Sequence, residues 1–217
     1  MGKLGEFLSG VKILERAESP INGKITIEKS LAWGTYITVG GLTQSGGIIN
    51  DIWKKPLRNL KNLRNKEIKN VLILGLGGGT VAKMVNKTWP EAKITGVDID
   101  PKMVELGKKY LSLNSDVRVI ISDAYGFLKT YNLKPITYDL ILIDLYVGDE
   151  FPKKFESDAF LKLVYLLLTV NGVAIFNRLY YGEKRPQAMK FENKLEKVFK
   201  KVEVVFPEAN VMFVCSR

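Results

Sequence analysis

The chain has 217 residues, 46% of them hydrophobic, which is enough for one main domain with its own core. It contains 33 Lys and Arg against 23 Asp and Glu, a formal net charge of +10, and not one histidine. The absence of histidine excludes Ser-His-Asp and Cys-His catalysis and any histidine-held metal, so acid–base work falls to carboxylates, tyrosines, lysines or the backbone. The excess of basic charge favours anionic partners and suits a polycationic substrate only if acids gather locally. No segment reaches the roughly 20 apolar residues of a membrane-spanning helix. Met1-Gly2-Lys3-Leu4-Gly5-Glu6 lacks a signal-peptide run, and Glu6 stands where myristoylation needs Ser or Thr, so a cytoplasmic, membrane-free protein is expected. The single cysteine, Cys215, lies in an apolar run and is expected to be a core thiol.

Taken in chain order, Lys24-Ile25-Thr26-Ile27-Glu28-Lys29 alternates, Gly34 breaks the run, and Thr35-Tyr36-Ile37-Thr38-Val39 resumes it before Gly40-Gly41. This predicts a small antiparallel hairpin, closed by a glycine-rich turn at Ser45-Gly46-Gly47. We therefore expect an N-terminal extension over residues 1–51 and an α/β domain over residues 52–217. Residues 52–70 set Leu57, Leu60 and Leu63 among Lys54, Lys55, Arg58, Lys61, Arg64, Lys66 and Lys69, the pattern of an amphipathic helix. Its basic face is either a solvated surface or a place for RNA to touch.

From Val71 the pattern becomes strand, helix, strand, helix. Val71-Leu72-Ile73-Leu74 is a continuous apolar run of the kind buried on both faces. Further strands are predicted at residues 94–97, 117–121, 140–143, 173–176, 202–205 and 211–214. Helices are predicted over 80–86, 101–111, 124–130, 157–168 and 187–200. The alternation predicts a doubly wound, mostly parallel seven-stranded sheet.

The strand ends carry the chemistry. Gly75-Leu76-Gly77-Gly78-Gly79-Thr80 follows the first strand and opens a helix, where glycines allow a tight turn and close approach of a ligand. Asp98 ends the second strand, about 20 residues on, where an acid can accept from both hydroxyls of a ribose. Asp100 precedes Pro101 and is the better helix cap, which leaves Asp98 for the ribose. Asp123-Ala124 ends the third strand, where the carboxylate can meet an adenine amino group or cap a helix. A nicotinamide dehydrogenase would instead show a third glycine where Thr80 stands.

This order resembles the class I methyltransferase fold, a Rossmann-like sheet, and its details resemble the spermidine/spermine synthase branch. They include Val97-Asp98-Ile99-Asp100, Tyr138-Asp139-Leu140-Ile141, Asp144, Phe155-Glu156-Ser157-Asp158-Ala159-Phe160 and Gly41-Leu42-Thr43-Gln44-Ser45. The resemblance implies S-adenosylmethionine, or its decarboxylated form, as co-substrate with no metal. It implies Gly75, Gly77, Gly79, Asp98, Asp123, Ala124 and Gln44 around the nucleoside, and Trp53 as the aromatic beside the site. It further implies Asp144 as the catalytic carboxylate, helped by Tyr146, with Tyr180 and Tyr181 nearby, and a homodimer as the assembly. Polyamine-making members carry an aspartate at the position of Gly78 and another three residues after the catalytic one, where Val147 stands. Asp149 lies close by with the wrong spacing. The expected function is therefore methyl transfer to an unidentified acceptor, using intact S-adenosylmethionine and glycine-loop amides facing its tail. The alternatives are aminopropyl transfer and a non-catalytic nucleoside- or nucleic-acid-binding protein.

Overall fold

The computed structural model describes residues 10–63, 67–131 and 136–217. Four N-terminal strands, β1 (Val11–Ser19), β2 (Gly23–Ser30), β3 (Gly34–Val39) and β4 (Leu42–Gly46), form an antiparallel sheet in that order. The expected hairpin is thus the inner part of a four-stranded sheet. Gly40 and Gly41, with φ of 57° and 82°, form its tightest turn, a geometry that requires left-handed backbone at both positions. Strand β1 escapes sequence reading because a bulge between Ile13 and Glu15 breaks its alternation.

The second sheet has seven strands: β5 (Asn70–Leu74), β6 (Lys93–Asp98), β7 (Val117–Ile121), β8 (Tyr138–Ile143), β9 (Leu168–Leu179), β10 (Lys201–Val205) and β11 (Asn210–Ser216). Their order is β10-β11-β9-β8-β5-β6-β7. Strands β5 to β9 pair in parallel, while β11 runs antiparallel to both neighbours. The order reverses between β5 and β8, and in such sheets the crevice at that reversal, beyond the carboxyl ends, is the binding position. Asp144 N–H donates to Leu74 O across it at 2.9 Å. Gly75 must be glycine, because φ is 86° and a Cβ would lie 2.0 Å from Asp144 O.

Among the described residues, six helices and a 3₁₀ turn (Lys153–Glu156) clothe the sheet: α1 (Ile49–Leu63), α2 (Thr80–Thr88), α3 (Pro101–Tyr110), α4 (Ala124–Tyr131), α5 (Asp158–Leu167) and α6 (Lys184–Leu195). Helix α1 begins three residues before the expected start and straddles the expected division at residue 51. Trp53, Leu57 and Leu60 are buried beneath α1, whereas Lys54, Lys55, Arg58 and Lys61 are exposed. Arg64 and Lys66 lie outside the described residues, and Lys69 pairs with Glu67 at 3.1 Å. One face of the large sheet packs an aromatic cluster that includes Phe160, Phe176, Phe191 and Phe213. The other face packs aliphatic residues with Trp53. Cys215 is fully buried, and burial pushes its thiol well up, as suits a core cysteine. Among the described residues no helix is long and apolar enough to cross a membrane.

The small sheet is fixed to the large one through α3. Ile25, Ile27, Ile37 and Val39 pack on Met103 and Leu106. Asp100 caps α3 by accepting from Lys102 N–H, as the sequence predicts. The same buried carboxylate accepts from Ser19 Oγ and Asn22 Nδ2, both at 2.6 Å, and so clamps the end of β1. Gly107, inside α3, touches the glycine loop: a Cβ there would sit 2.5 Å from Gly78 Cα. Gly107→Ala should therefore destabilise the chain by about 1–3 kcal/mol. The helix preference for alanine, about 1 kcal/mol, cannot offset a clash with backbone. Urea unfolding measures this directly, and an unchanged midpoint would mean that the loop yields freely.

Candidate functional site

The crevice opens into a cavity of about 410 Å³ lined by both sheets, α1 and the loops that follow the large-sheet strands. Gly75, Gly77, Asp98, Asp123 and Ala124 line it beyond the ends of β5, β6 and β7, and Asp144, Tyr146, Asn177 and Glu208 line it beside β8, β9 and the turn before β11. Ile48, Ile49 and Ile52 give it an apolar wall, and Gln44 joins from β4. The crevice thus gathers the other expected nucleoside residues with Asp144, Tyr146 and Tyr181, whereas Gly79, Trp53 and Tyr180 do not line the cavity. Gly79 belongs to the turn instead. Its N–H bonds Leu76 O at 3.0 Å, and its φ of 87° turns the chain into α2.

Asp98 does two things at once. Its Oδ2 accepts from Gly77 N–H at 2.6 Å and its Oδ1 from Asp100 N–H at 2.9 Å, so it shapes the glycine loop while lining the cavity. A carboxylate has about four acceptor positions, so further donors can still be received. Burial raises the Asp98 carboxyl above its ordinary value, against the pull of these two N–H groups. Asp123 accepts from Gly126 N–H at 3.0 Å and pairs with Lys154 from the 3₁₀ turn. Burial alone would raise its carboxyl, but Lys154 and the Gly126 N–H outweigh that and hold it low. Asp123 thus caps α4 while its residue lines the cavity.

Asp144 is half-buried at the end of β8, in the cavity wall. Trp53 Nε1–H donates to its Oδ2 at 3.0 Å and Asn177 Nδ2–H to its Oδ1 at 2.8 Å. Asn210 Nδ2–H in turn donates to Asn177 Oδ1 at 2.8 Å. Burial raises the Asp144 carboxyl, with the Asn177 and Trp53 donors opposing. Such a group holds a proton at higher pH than an ordinary aspartate, a property suited to accepting one from a reacting ammonium.

Tyr146 lines the cavity, but its hydroxyl is committed to β9. It accepts from Leu179 N–H at 2.8 Å and donates to Asn177 O at 3.4 Å. Burial pushes its phenol far up, so it stays protonated and positions rather than takes protons. Gln44 Nε2 donates to Gly148 O at 3.3 Å, tying β4 to the loop after β8. Tyr181 lines the cavity, while Tyr180 packs against Phe206, 5.0 Å between ring centres. Asp149 pairs with Lys184 at 3.2 Å, away from the cavity, and does not replace the carboxylate missing at Val147.

The glycine loop departs from expectation in one respect. Gly75 and Leu76 N–H both donate to Val97 O, Gly77 to Asp98, Gly78 to Ser45 Oγ and Gly79 to Leu76 O. These five amides serve the fold, and none is left for a ligand tail. A Cβ at Gly78 would meet Leu111 Cδ1 at 2.8 Å, Ser45 Cβ at 3.0 Å and Ile37 Cδ1 at 3.1 Å, and Gly78 is not in the cavity wall. Asn177, Asn210, Lys154, Ser45 and Glu208 were not foreseen as site residues. For Asn177 a signal existed, since a polar residue ending a buried strand beside the crevice is itself informative.

Comparison with known proteins agrees with this architecture. The polyamine aminopropyltransferase of Vibrio vulnificus is 32% identical over 117 residues, covering 53% of this chain and 39% of that protein. The eEF1A lysine and N-terminal methyltransferase homolog of Drosophila melanogaster is 32% identical over 140 residues, covering 60% of this chain and 20% of that one. The chain therefore spans well under half the length of these relatives. Human methyltransferase-like protein 13, solved in complex with SAH, superposes with a TM-score of 0.67 at 25% identity, over 76% of this chain and 81% of that one. Spermidine synthase from Thermotoga maritima superposes with a TM-score of 0.76 at 18% identity, over 94% of this chain and 72% of that one, a likeness of fold. The model of the spermine/spermidine synthase domain matches residues 50–212, three quarters of the molecule and all of the large sheet but the end of its last strand, and the chain belongs to that family.

Proposed function

We propose that the chain binds the nucleoside of S-adenosylmethionine against Gly75, Gly77, Asp98 and Asp123 and transfers its methyl group to an amine. The observation that carries methyl over aminopropyl transfer is the absence of a carboxylate at both family positions, the glycine-loop one that would hold a donor ammonium and the one three residues after Asp144. Residue 78 is a glycine outside the cavity wall, and residue 147 is an apolar valine within it. Asp144 then remains as the carboxylate at the end of β8, with Glu208 on the neighbouring turn. The amine attacks in line with the sulfonium carbon, the new C–N bond forms as the C–S bond breaks, and the thioether leaves neutral. The nucleophile must be unprotonated, and Asp144, held by Trp53 and Asn177, is placed to take its proton. The positive end of α2, next to the glycine loop, favours the donor's carboxylate even though the loop amides are occupied.

A specific observation favours the second reading, aminopropyl transfer. On a chain of net charge +10, the cavity wall holds Asp98, Asp123, Asp144 and Glu208 against Lys154. Such local acidity is what a polycationic acceptor requires. Calorimetric titration with S-adenosylmethionine and with its decarboxylated form decides between the two. We expect the intact donor to bind at least about tenfold more tightly, equivalent to about 1.4 kcal/mol. The opposite preference would transfer support to aminopropyl chemistry, and binding of neither would end the nucleoside reading.

A further inference from the structure

Helices α1 and α2 pack side by side on the aliphatic face of the large sheet. Lys54, Lys55, Arg58 and Lys61 of α1 are exposed, as are Lys83 and Lys87 of α2. Asp51 is the one acidic residue in the two helices. None of these cations makes an ion pair or a hydrogen bond with another described residue. Lys54 and Arg58, Arg58 and Lys61, and Lys83 and Lys87 stand three or four residues apart, where like charges repel and weaken a helix. The opposite face of the sheet is different. There Lys184 and Lys194 of α6 are tied to Asp149, Glu150 and Glu156, and Asp158 and Glu192 stand among the lysines.

What the basic face lacks narrows its partner. Among the described residues, its exposed side chains are those cations, Asn50 and Asp51, because Ile52, Trp53, Leu57 and Leu60 are buried. No apolar side chain is left to enter a membrane, and no aromatic one to stack on the bases of a single strand. Two helices side by side, each about 10 Å across, are too broad for the roughly 12 Å major groove of B-form DNA. The wide, shallow minor groove of an A-form RNA duplex accepts a broad face and displays phosphates along its edges.

We propose that the α1–α2 face binds the phosphate backbone of duplex RNA, by charge and shape rather than by sequence. None of its cations lines the cavity, so this binding is separate from the chemistry in the crevice.

Fluorescence anisotropy on the full chain, with a labelled RNA duplex of about 16 base pairs, tests this; that length is the span a duplex-RNA domain covers. Affinity should fall steeply with salt, with a log–log slope of about −3 or steeper, as for three or more neutralised phosphates. Lys54→Gln, Arg58→Gln and Lys83→Gln combined should weaken binding at least about tenfold and flatten the slope by about two or three. That variant should melt no lower than the native chain, since glutamine suits a helix as well and repulsion is relieved. Removing as much charge from the opposite face, with Lys162→Gln, Lys190→Gln and Lys197→Gln, should leave the affinity within about twofold, because screening confines each charge to its own side. Equal weakening by the two variants, a shallow salt slope, or no duplex binding in dilute salt would overturn the proposal. So would equal affinity for duplex DNA, for single-stranded RNA of the same length, for polyglutamate or for phosphatidylserine vesicles. Failure of the nucleoside to bind would leave it standing, because the readout needs no ligand in the crevice.

Discussion

Replacing Asp144 by asparagine should lower turnover by about 10²–10⁴-fold, the range that a positioned acid–base group contributes. The substitution is suited to the purpose because the fold can absorb it. An amide at 144 can accept from Trp53 Nε1–H and donate to Asn177 if the Asn177 and Asn210 amides turn over together, so every bond of the chain Asp144–Asn177–Asn210 is kept in reversed sense. Stability should then rise near neutral pH. Burial raises the Asp144 carboxyl in the folded state, so its contribution is full below the unfolded value of about 3.9 and is lost as pH climbs through the folded value. The amide does not ionise and escapes that loss, so denaturation curves of the two proteins should converge in acid and separate toward neutrality. Trp53→Phe gives the complementary test. It removes a donor to the ionised form, so the carboxyl rises further and the acid limb of the rate profile moves to higher pH. Turnover near the native level in Asp144→Asn, measured with the amine that supports reaction, would place proton removal elsewhere.

How far the sequence discloses this site depends on which kind of contact makes it. The parallel strands are legible because Val71-Leu72-Ile73-Leu74 and Leu140-Ile141-Leu142-Ile143 are buried on both faces and read as unbroken apolar runs. Their ends are legible for the same reason: a glycine or an aspartate that interrupts such a run has to be in the crevice. Asp98 and Asp123 are legible in this way, Asp144 through the family resemblance, and the proline after Asp100 separates it from Asp98. Strand β1 was not legible, since its residues alternate between half-buried and exposed and a bulge shifts their register.

What depends on pairing across distant segments was hidden. Asn177 and Asn210 meet only because β11 lies antiparallel to β9, with Met212 opposite Asn177. No spacing in the chain encodes that approach. The ion pair of Lys154 with Asp123 joins residues 31 apart through the packing of a 3₁₀ turn. Gly78 illustrates a subtler limit. A resemblance can assign it a position in a motif, but not the direction in which a side chain there would point, which is toward Leu111, Ser45 and Ile37. The fate of the loop amides is hidden for the same reason. Ser45 reaches Gly78 N–H only when β4 of the small sheet docks beside the glycine loop.

Asp98 offers the sharpest test of the nucleoside end, because its two duties can be separated. Asp98→Ala should weaken binding of methylthioadenosine by about 10²–10⁴-fold, corresponding to the loss of two hydrogen bonds to a charged acceptor at roughly 1.5–3 kcal/mol each. It also deprives Gly77 and Asp100 N–H of their acceptor, which alone could loosen the loop. The same nucleoside without its ribose hydroxyls distinguishes the causes. If Asp98 acts on the ribose, the native chain should bind the dideoxy compound as weakly as Asp98→Ala binds the parent, and the substitution should add little further loss. If the dideoxy compound suffers the full loss again in Asp98→Ala, the carboxylate works only through the loop, and the assignment to the ribose fails. The pH dependence carries its own sign. Hydroxyls donate to the ionised carboxylate, whose value burial has raised, so affinity for the parent should fall as pH drops through that raised value. The dideoxy compound, lacking those donors, should show a shallower fall.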